Sequence, residues 1–242
     1  MADHSLHRDA SGATADGSGE AADASGMLLD RLAHDLRGPL SPLQTAAYLL
    51  RRPDIEPERR DELLAIIDRQ TARLSAMVQE VSDWTRARQL RLVNRRDVVA
   101  PAMLVELAVT SSGADIRLDI AAALDDVTLD GDAQRLVQML STLIGFMQSR
   151  IVDGKVAVGA DLVPEGVRIE VMAPGAPWNA AERDGVFHGA EPAPFDEGLG
   201  MRLMIAQAIA HAHDGDMVTA DSGDGSALIR VVLPLAAAAP EG

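Results

Sequence analysis

Seven positions in one stretch of this chain, Ile67, Gln70, Leu74, Met77, Val81, Trp84 and Arg88, recur in steps of three and four. Side chains at that spacing line one side of an α-helix as a heptad seam, apolar here except at Gln70 and Arg88. A helix from about Glu58 to Arg88 would run roughly 46 Å at about 1.5 Å per residue. Pro57 suits its first position, and Glu58, Asp61 and Glu62 suit the positive end of its dipole. Upstream, a second helical pattern begins after Ser25-Gly26 with Met27, Leu28 and Leu29, reaches Leu50 and is stopped by Pro53. Two long helices joined by the short turn 51–57 form an antiparallel hairpin. A hairpin cannot cover both of its apolar faces alone, so a second copy is expected to complete a four-helix bundle, making the chain a homodimer.

After about Asn94 the pattern changes. The spacing predicts a short helix over Val98–Val109, a strand with period-two alternation over Asp115–Ile120, and a helix from about Asp132 to Arg150. A hairpin then pairs Lys155–Val163 with Gly166–Val171 around Pro164-Glu165, and a Gly-, Pro- and Ala-rich loop covers 173–198. Leu199 to about His211 reads as helix, and a second hairpin pairs Asp216–Ala220 with Ala227–Leu235. Helices interleaved with antiparallel strand pairs indicate an α+β layered domain. Apolar residues are 47% of the chain but aromatics only 2%, so the core is built from Leu, Ile, Val, Met and Ala. Residues 1–25 are Ala, Gly, Ser and Asp with little to bury, and are expected to be a disordered arm. The resulting partition is 1–25 arm, 26–93 helical hairpin, 97–235 α/β sandwich and 236–242 flexible tail.

The 37 acidic and 22 basic residues leave a net charge of −15, which repels a phosphate backbone and argues against nucleic-acid binding. There is no cysteine, so disulfides, thiolate metal sites and cysteine nucleophiles are excluded. The single lysine, Lys155, follows Asp153-Gly154 rather than a Gly-rich turn, which excludes a Walker-type loop. No apolar run approaches the length of a membrane span, and no basic region precedes an apolar leader, so the expectation is a cytoplasmic chain. His211 and His213 are two residues apart and face different sides of their helix. Further ligands are not apparent, and no metal site is expected. Asp125-Asp126 read as loop acids and Asp130-Gly131-Asp132 as a helix cap.

The chemistry gathers at His34-Asp35-Leu36-Arg37-Gly38-Pro39-Leu40, with a second proline at Pro42. Prolines inside a helix cost about 3 kcal/mol each, so a kink beside the histidine is a paid-for feature. A neutral imidazole attacks with one ring nitrogen while the other carries its proton, and a carboxylate accepting that N–H fixes the tautomer and raises nucleophilicity. This segment resembles the phosphoacceptor signature of bacterial sensor histidine kinases, His-Glu/Asp-Leu-Arg-Asn/Thr-Pro-Leu, departing from it only at Gly38. The resemblance extends over about residues 27–92. It implies that His34 is the phosphoacceptor and that Asp35 orients and activates it; Arg37, one turn along, is placed to screen incoming negative charge. The family's Asn or Thr at the Gly38 position holds the water that hydrolyses a partner's phospho-aspartate. Glycine has no side chain for that, which puts phosphatase activity in question.

Residues from about 97 to 235 are similar to the same family's Bergerat-type ATP-binding domain in element order and in two patches, and depart from it at the ligands. Arg135-Leu-Val-Gln-Met-Leu140 matches the helix bearing the family's metal-binding asparagine, whose position falls on Phe146, while the motif's lysine falls on Ser149. A phenyl ring offers no oxygen to Mg²⁺. In the Asp-x-Gly-x-Gly motif the aspartate is replaced by Ala173, Gly175 remains, and the second glycine is Pro177. Losing a charged hydrogen-bond partner costs about 1.5–3 kcal/mol. Glu197-Gly198-Leu199-Gly200-Met201-Arg202 keeps a Gly-rich lead into a helix N-terminus that can receive an anion. The residual nucleotide contacts are therefore Gly175, Gly198 and Gly200, and no cofactor is expected.

Three functions remain open. The first is a dimeric phosphorelay protein that carries phosphate on His34, exchanges it with response-regulator receiver domains, takes its signal from an upstream sensor or hybrid kinase, and binds ATP poorly. The second is an Mg·ATP-dependent histidine autokinase. The third is a docking protein that binds regulators or kinases without chemistry.

Overall fold

The computed structural model describes residues 34–113, 115–191 and 198–236. The expected arm over 1–25 and the last residues of the expected tail lie outside them. The chain divides into two compact units, Met1–Thr71 and Ala72–Gly242, and the division falls inside one helix.

In the first unit the described part of α1 covers residues 34–49, followed by a turn and by α2, Pro57–Arg88, whose C-terminal half belongs to the second unit. Pro57 starts α2, with Glu58 in its first turn and Arg86 and Arg88 in its last, the charge order that the helix dipole favours. Helix α1 continues through Pro39 and Pro42, neither of which can donate an amide bond to the turn before it. Pro39, Ala46 and Leu63 are the buried residues described in this unit. The seam residues Ile67, Gln70, Leu74, Val81 and Trp84 are only half-buried in the single chain, whereas Met77 is fully enclosed.

The second unit is a five-stranded sheet in the order β2 (Ile116–Ile120), β4 (Val156–Val163), β5 (Gly166–Ala173), β7 (Ala227–Leu233), β6 (Asp216–Asp221). Helices α3 (Pro101–Ser112), α4 (Ala133–Arg150) and α6 (Arg202–Ala212) lie in one layer, with α4 between its two neighbours. Helix α4 packs on β4 and β5, and α6 on β6 and β7. Residues Val167, Ile169, Val171 and Ala173 of β5 are buried and stand opposite Leu233, Val231, Ile229 and Ala227 of β7, all on the face that meets the helices. From α4 come Leu136, Met139, Leu140, Leu143, Ile144 and Met147, each at most 2% exposed. Every fully buried side chain of this size contributes about 1.5–3 kcal/mol. The core is aliphatic, as the composition requires. Among the described residues no helix is long and apolar enough to cross a membrane.

Several local readings change, among them the start of α6 at Arg202 rather than Leu199 and the end of β7 at Leu233 rather than Leu235. The helix predicted from Val98 starts at Pro101, because Asp97–Val99 (β1) pairs instead with Leu129–Gly131 (β3), and the proline takes the N-terminal turn. Neither three-residue strand carries a periodicity that a sequence can show. The strand β2 pairs with β4 in parallel, although the other three pairings of the sheet are antiparallel. A short helix α5 (Ala180–Gly185), capped by the Asn179 side chain, lies inside the predicted loop. The β5 strand runs two residues further than predicted, to Ala173.

Candidate functional site

His34 is exposed on α1, Asp35 beside it is half-buried, and Arg37 is exposed one turn along. Pro39 is buried, whereas His34 is exposed. Gly38 is exposed, with nothing within 4 Å of the place a Cβ would take. Among the described residues, no group within 4 Å of that place supplies the carboxamide or hydroxyl that this position lacks.

In the second unit the residues that the resemblance assigns to nucleotide contact have other partners. Phe146, 6% exposed, stacks on Trp178 with centroids 6.2 Å apart and planes 26° from parallel. The Arg150 guanidinium lies 4.6 Å from the Trp178 ring centre and 5.6 Å from that of Phe146. Its Nη2 donates to the Pro177 carbonyl at 3.0 Å, its Nη1 pairs with Glu182, and the Trp178 Nε1 donates to Ala220 O at 2.7 Å. A cation over an aromatic ring contributes about 0.5–2 kcal/mol, and the stacked pair about 0.5–1.5 kcal/mol more. Phe146, Arg150 and Trp178 thus form one stack, in which Glu182 and the Pro177 carbonyl hold the guanidinium by its Nη atoms while the buried Nε has no hydrogen-bond partner among the described residues. The stack borders a cavity of about 910 Å³ whose other walls include Val186, Ala181 and Ala190.

Ala173 is fully buried at the end of β5 and has no polar side-chain atom. The Gly175 amide donates to the Ser226 hydroxyl at 2.9 Å, so this loop is closed from within. Gly200 adopts φ +78°, and a Cβ there would lie 2.6 Å from the Glu191 carbonyl oxygen, so the glycine is required by close backbone approach. Gly198 and Gly200 are buried. Between and beyond them, the amides of Leu199 and Met201 donate to Glu80 Oε2 at 3.0 and 3.4 Å, and Arg202 Nε donates to Glu80 Oε1 at 3.2 Å.

Sequence reasoning misses this carboxylate and its neighbour one turn on, because acids on a long helix look like a solvated face. Asp83 is 1% exposed. It accepts from Arg135 Nη1 at 2.9 Å, from Gln138 Nε2 at 2.9 Å and from Gln79 Nε2 at 3.0 Å. Burial alone would push its pKa up, but the hydrogen bonds from Gln138, Gln79 and Arg135, with the Arg135 charge, outweigh it and hold the carboxyl below its ordinary value. Asp132 caps α4 by accepting from the Arg135 amide, as expected.

The two histidines near the end of α6 have separate roles. His211 is exposed. His213 is 3% exposed and receives the Asp132 amide on Nε2 at 2.9 Å, so its proton sits on Nδ1 and is donated to Ile209 O at 2.7 Å. Burial, opposed by that backbone bond, holds its pKa below the ordinary value.

Residues 24–90 match the His Kinase A (phospho-acceptor) domain family. The chain is 31% identical over 226 residues to the sensor protein KdpD of Mycobacterium tuberculosis, covering 87% of this chain and 26% of that protein. It is 23% identical to the signal transduction histidine-protein kinase AtoS of Escherichia coli, covering 86% of this chain and 34% of that one. The chain therefore spans about a quarter to a third of the curated relatives it matches. Among solved structures, the fold is similar to the histidine kinase AdeS of Acinetobacter baumannii, with TM-score 0.66, 18% identity, and coverage of 84% of this chain and 98% of that one. It is also similar to the histidine kinase ThkA, solved in complex with the response regulator protein TrrA, with TM-score 0.68, 19% identity, and coverage of 91% and 64%.

Proposed function

We propose, for a chain that is homologous to sensor histidine kinases and carries their His Kinase A phospho-acceptor domain, a role as a dimeric phosphorelay protein. It takes phosphate on His34 from receiver-domain aspartates and returns it to them. In the step, one imidazole nitrogen of His34 forms the N–P bond as the bond from phosphorus to the aspartyl oxygen breaks, and the receiver's aspartate leaves as a carboxylate. Asp35 accepts the proton of the other ring nitrogen and stabilises the charge that develops on the ring. Arg37, on the same exposed stretch, screens the incoming phosphoryl group. That ThkA was solved with a response regulator supports a receiver as the partner.

The observation carrying this reading over an autokinase is the Phe146–Arg150–Trp178 stack. Mg·ATP supplies a phosphoryl donor and a charge-neutralising ion when a site holds it. The residues at the corresponding positions do not fit it: Phe146 and Ala173 present no oxygen, and Arg150 is turned onto two aromatic rings and Glu182. Calorimetry should find no Mg·ATP binding tighter than about millimolar, near −4 kcal/mol.

The test presents a phosphorylated receiver domain to the full chain and follows acid-labile label. The unsubstituted protein should become labelled, His34→Ala should not, and Asp35→Asn should be slower by roughly 10²–10⁴-fold. Equal labelling of His34→Ala removes the phosphoacceptor assignment. Label appearing from ATP alone promotes the autokinase, and no label from either donor leaves the docking role.

A further inference from the structure

The entry into α6 is a set of three convergent donors, the amides of Leu199 and Met201 and the Arg202 guanidinium, and all three are directed at one carboxylate. That carboxylate does not belong to the loop. It is Glu80, 119 residues away in sequence from Leu199, on the C-terminal half of α2, and it is 4% exposed. The N-cap residue of α6, Met201, makes no side-chain cap, and Glu80 accepts its amide, which the helix start leaves open, together with that of Leu199 two residues earlier. A carboxylate that receives two backbone N–H groups and a guanidinium offers these donors negative acceptor oxygens of the kind a phosphate-class oxyanion would offer.

The same stretch of α2 is poorly sealed against the domain. A cavity of about 210 Å³ separates it from α4 and α6, between Ala76, Gln79, Thr142, Ile205 and Ile209. The contact includes two buried acids, Glu80 and Asp83, beside the fully enclosed Met77. The charge pairs in it are released at lower cost where another anion satisfies their donors.

We propose that Glu80 is an intrachain latch: its carboxylate stands in for a phosphate-class oxyanion at the α6 entry, and a polyphosphate must displace it, and with it this part of α2, to use those donors. The latch adds to the aromatic stack as a second, independent reason for weak nucleotide binding. Unlike the stack, it is reversible. It does not depend on whether His34 carries phosphate.

The test uses inorganic tripolyphosphate, which needs the anion donors but no adenine contact. Calorimetry compares the full chain with Glu80→Ala, and hydrogen exchange follows the amides of 199–202 in both. Glu80→Ala is expected to bind tripolyphosphate at least tenfold more tightly than the unsubstituted chain. Its 199–202 amides should exchange at least tenfold faster without the anion and slow again with it. If Glu80→Ala fails to fold by circular dichroism, Glu80→Gln, which keeps the shape without the charge, replaces it under the same criterion. Equal affinity in the two proteins, absence of binding in both included, overturns the latch. Tight Mg·ATP binding by the unsubstituted chain would count against the proposed function and leaves this comparison unaffected.

Discussion

Replacing Asp83 with alanine tests whether the buried clamp between α2 and α4 is as consequential as its geometry implies. The Asp83 side chain is 2% exposed and that of Arg135 10%, with 2.9 Å between the charged atoms. Removing one member of such a pair leaves the other charged and without water, which costs about 3–5 kcal/mol. Gln138 Oε1 still accepts from Arg135 Nη1 at 2.7 Å, which places the expected loss near the lower end, about 3 kcal/mol. At about 2–4 °C per kcal/mol for a unit of this size, the melting temperature should fall by about 6–12 °C. Thermal unfolding followed by circular dichroism is the assay. Asp83→Ala with Arg135→Met should recover most of the loss, because it removes the stranded charge rather than only its partner. A fall of less than about 2 °C for Asp83→Ala would show that water screens the pair and would refute the reasoning. The same clamp sets an acid limit. A carboxyl held below its ordinary value of 3.8 stabilises the fold fully above that pH and loses its contribution as pH falls through the lower folded value.

Two further outcomes are expected. His213 is held neutral below its ordinary value of 6.5, so on acidification the unfolded chain binds the proton first; stability should be full above about pH 7, decline as pH falls below about 6.5, and do so less in His213→Gln, with pH-dependent denaturant midpoints as the measurement. Leu74 is half-buried in the single chain, and each buried side chain of this kind is worth about 1.5–3 kcal/mol; light scattering at micromolar concentration should find the unsubstituted protein dimeric and Leu74→Glu monomeric, and a single-chain mass for the unsubstituted protein would contradict the homodimer.

The features legible in the sequence are those written in neighbouring residues. The α2 seam, its proline start, the two long hairpins of the sheet and the Asp132 cap all follow from periodicity or from a side chain reaching its own backbone a few positions on. The candidate phosphoacceptor is legible for the same reason: His34, Asp35 and Pro39 lie within two turns of one helix. Gly38 is equally local, and the structure adds only that it is exposed, with no described atom within 4 Å of where a Cβ would lie.

Tertiary structure alone decided the rest, because each remaining feature joins residues whose partners are remote. Three-residue strands such as β1 and β3 have no period of their own and exist only because Asp97–Val99 meets Leu129–Gly131. The parallel pairing of β2 with β4 is a choice of direction that alternation does not encode, since side chains alternate identically either way. In sequence, Phe146 and Ala173 read as departures from the family's nucleotide motifs, but nothing there shows that Phe146 stacks on Trp178 beneath the Arg150 guanidinium. Glu80 and Asp83 carry no local sign at all. An acid on a helix is solvated or buried according to what folds against it, and here that is Arg135, 52 residues away from Asp83, and the α6 entry, 119 residues from Glu80 to Leu199.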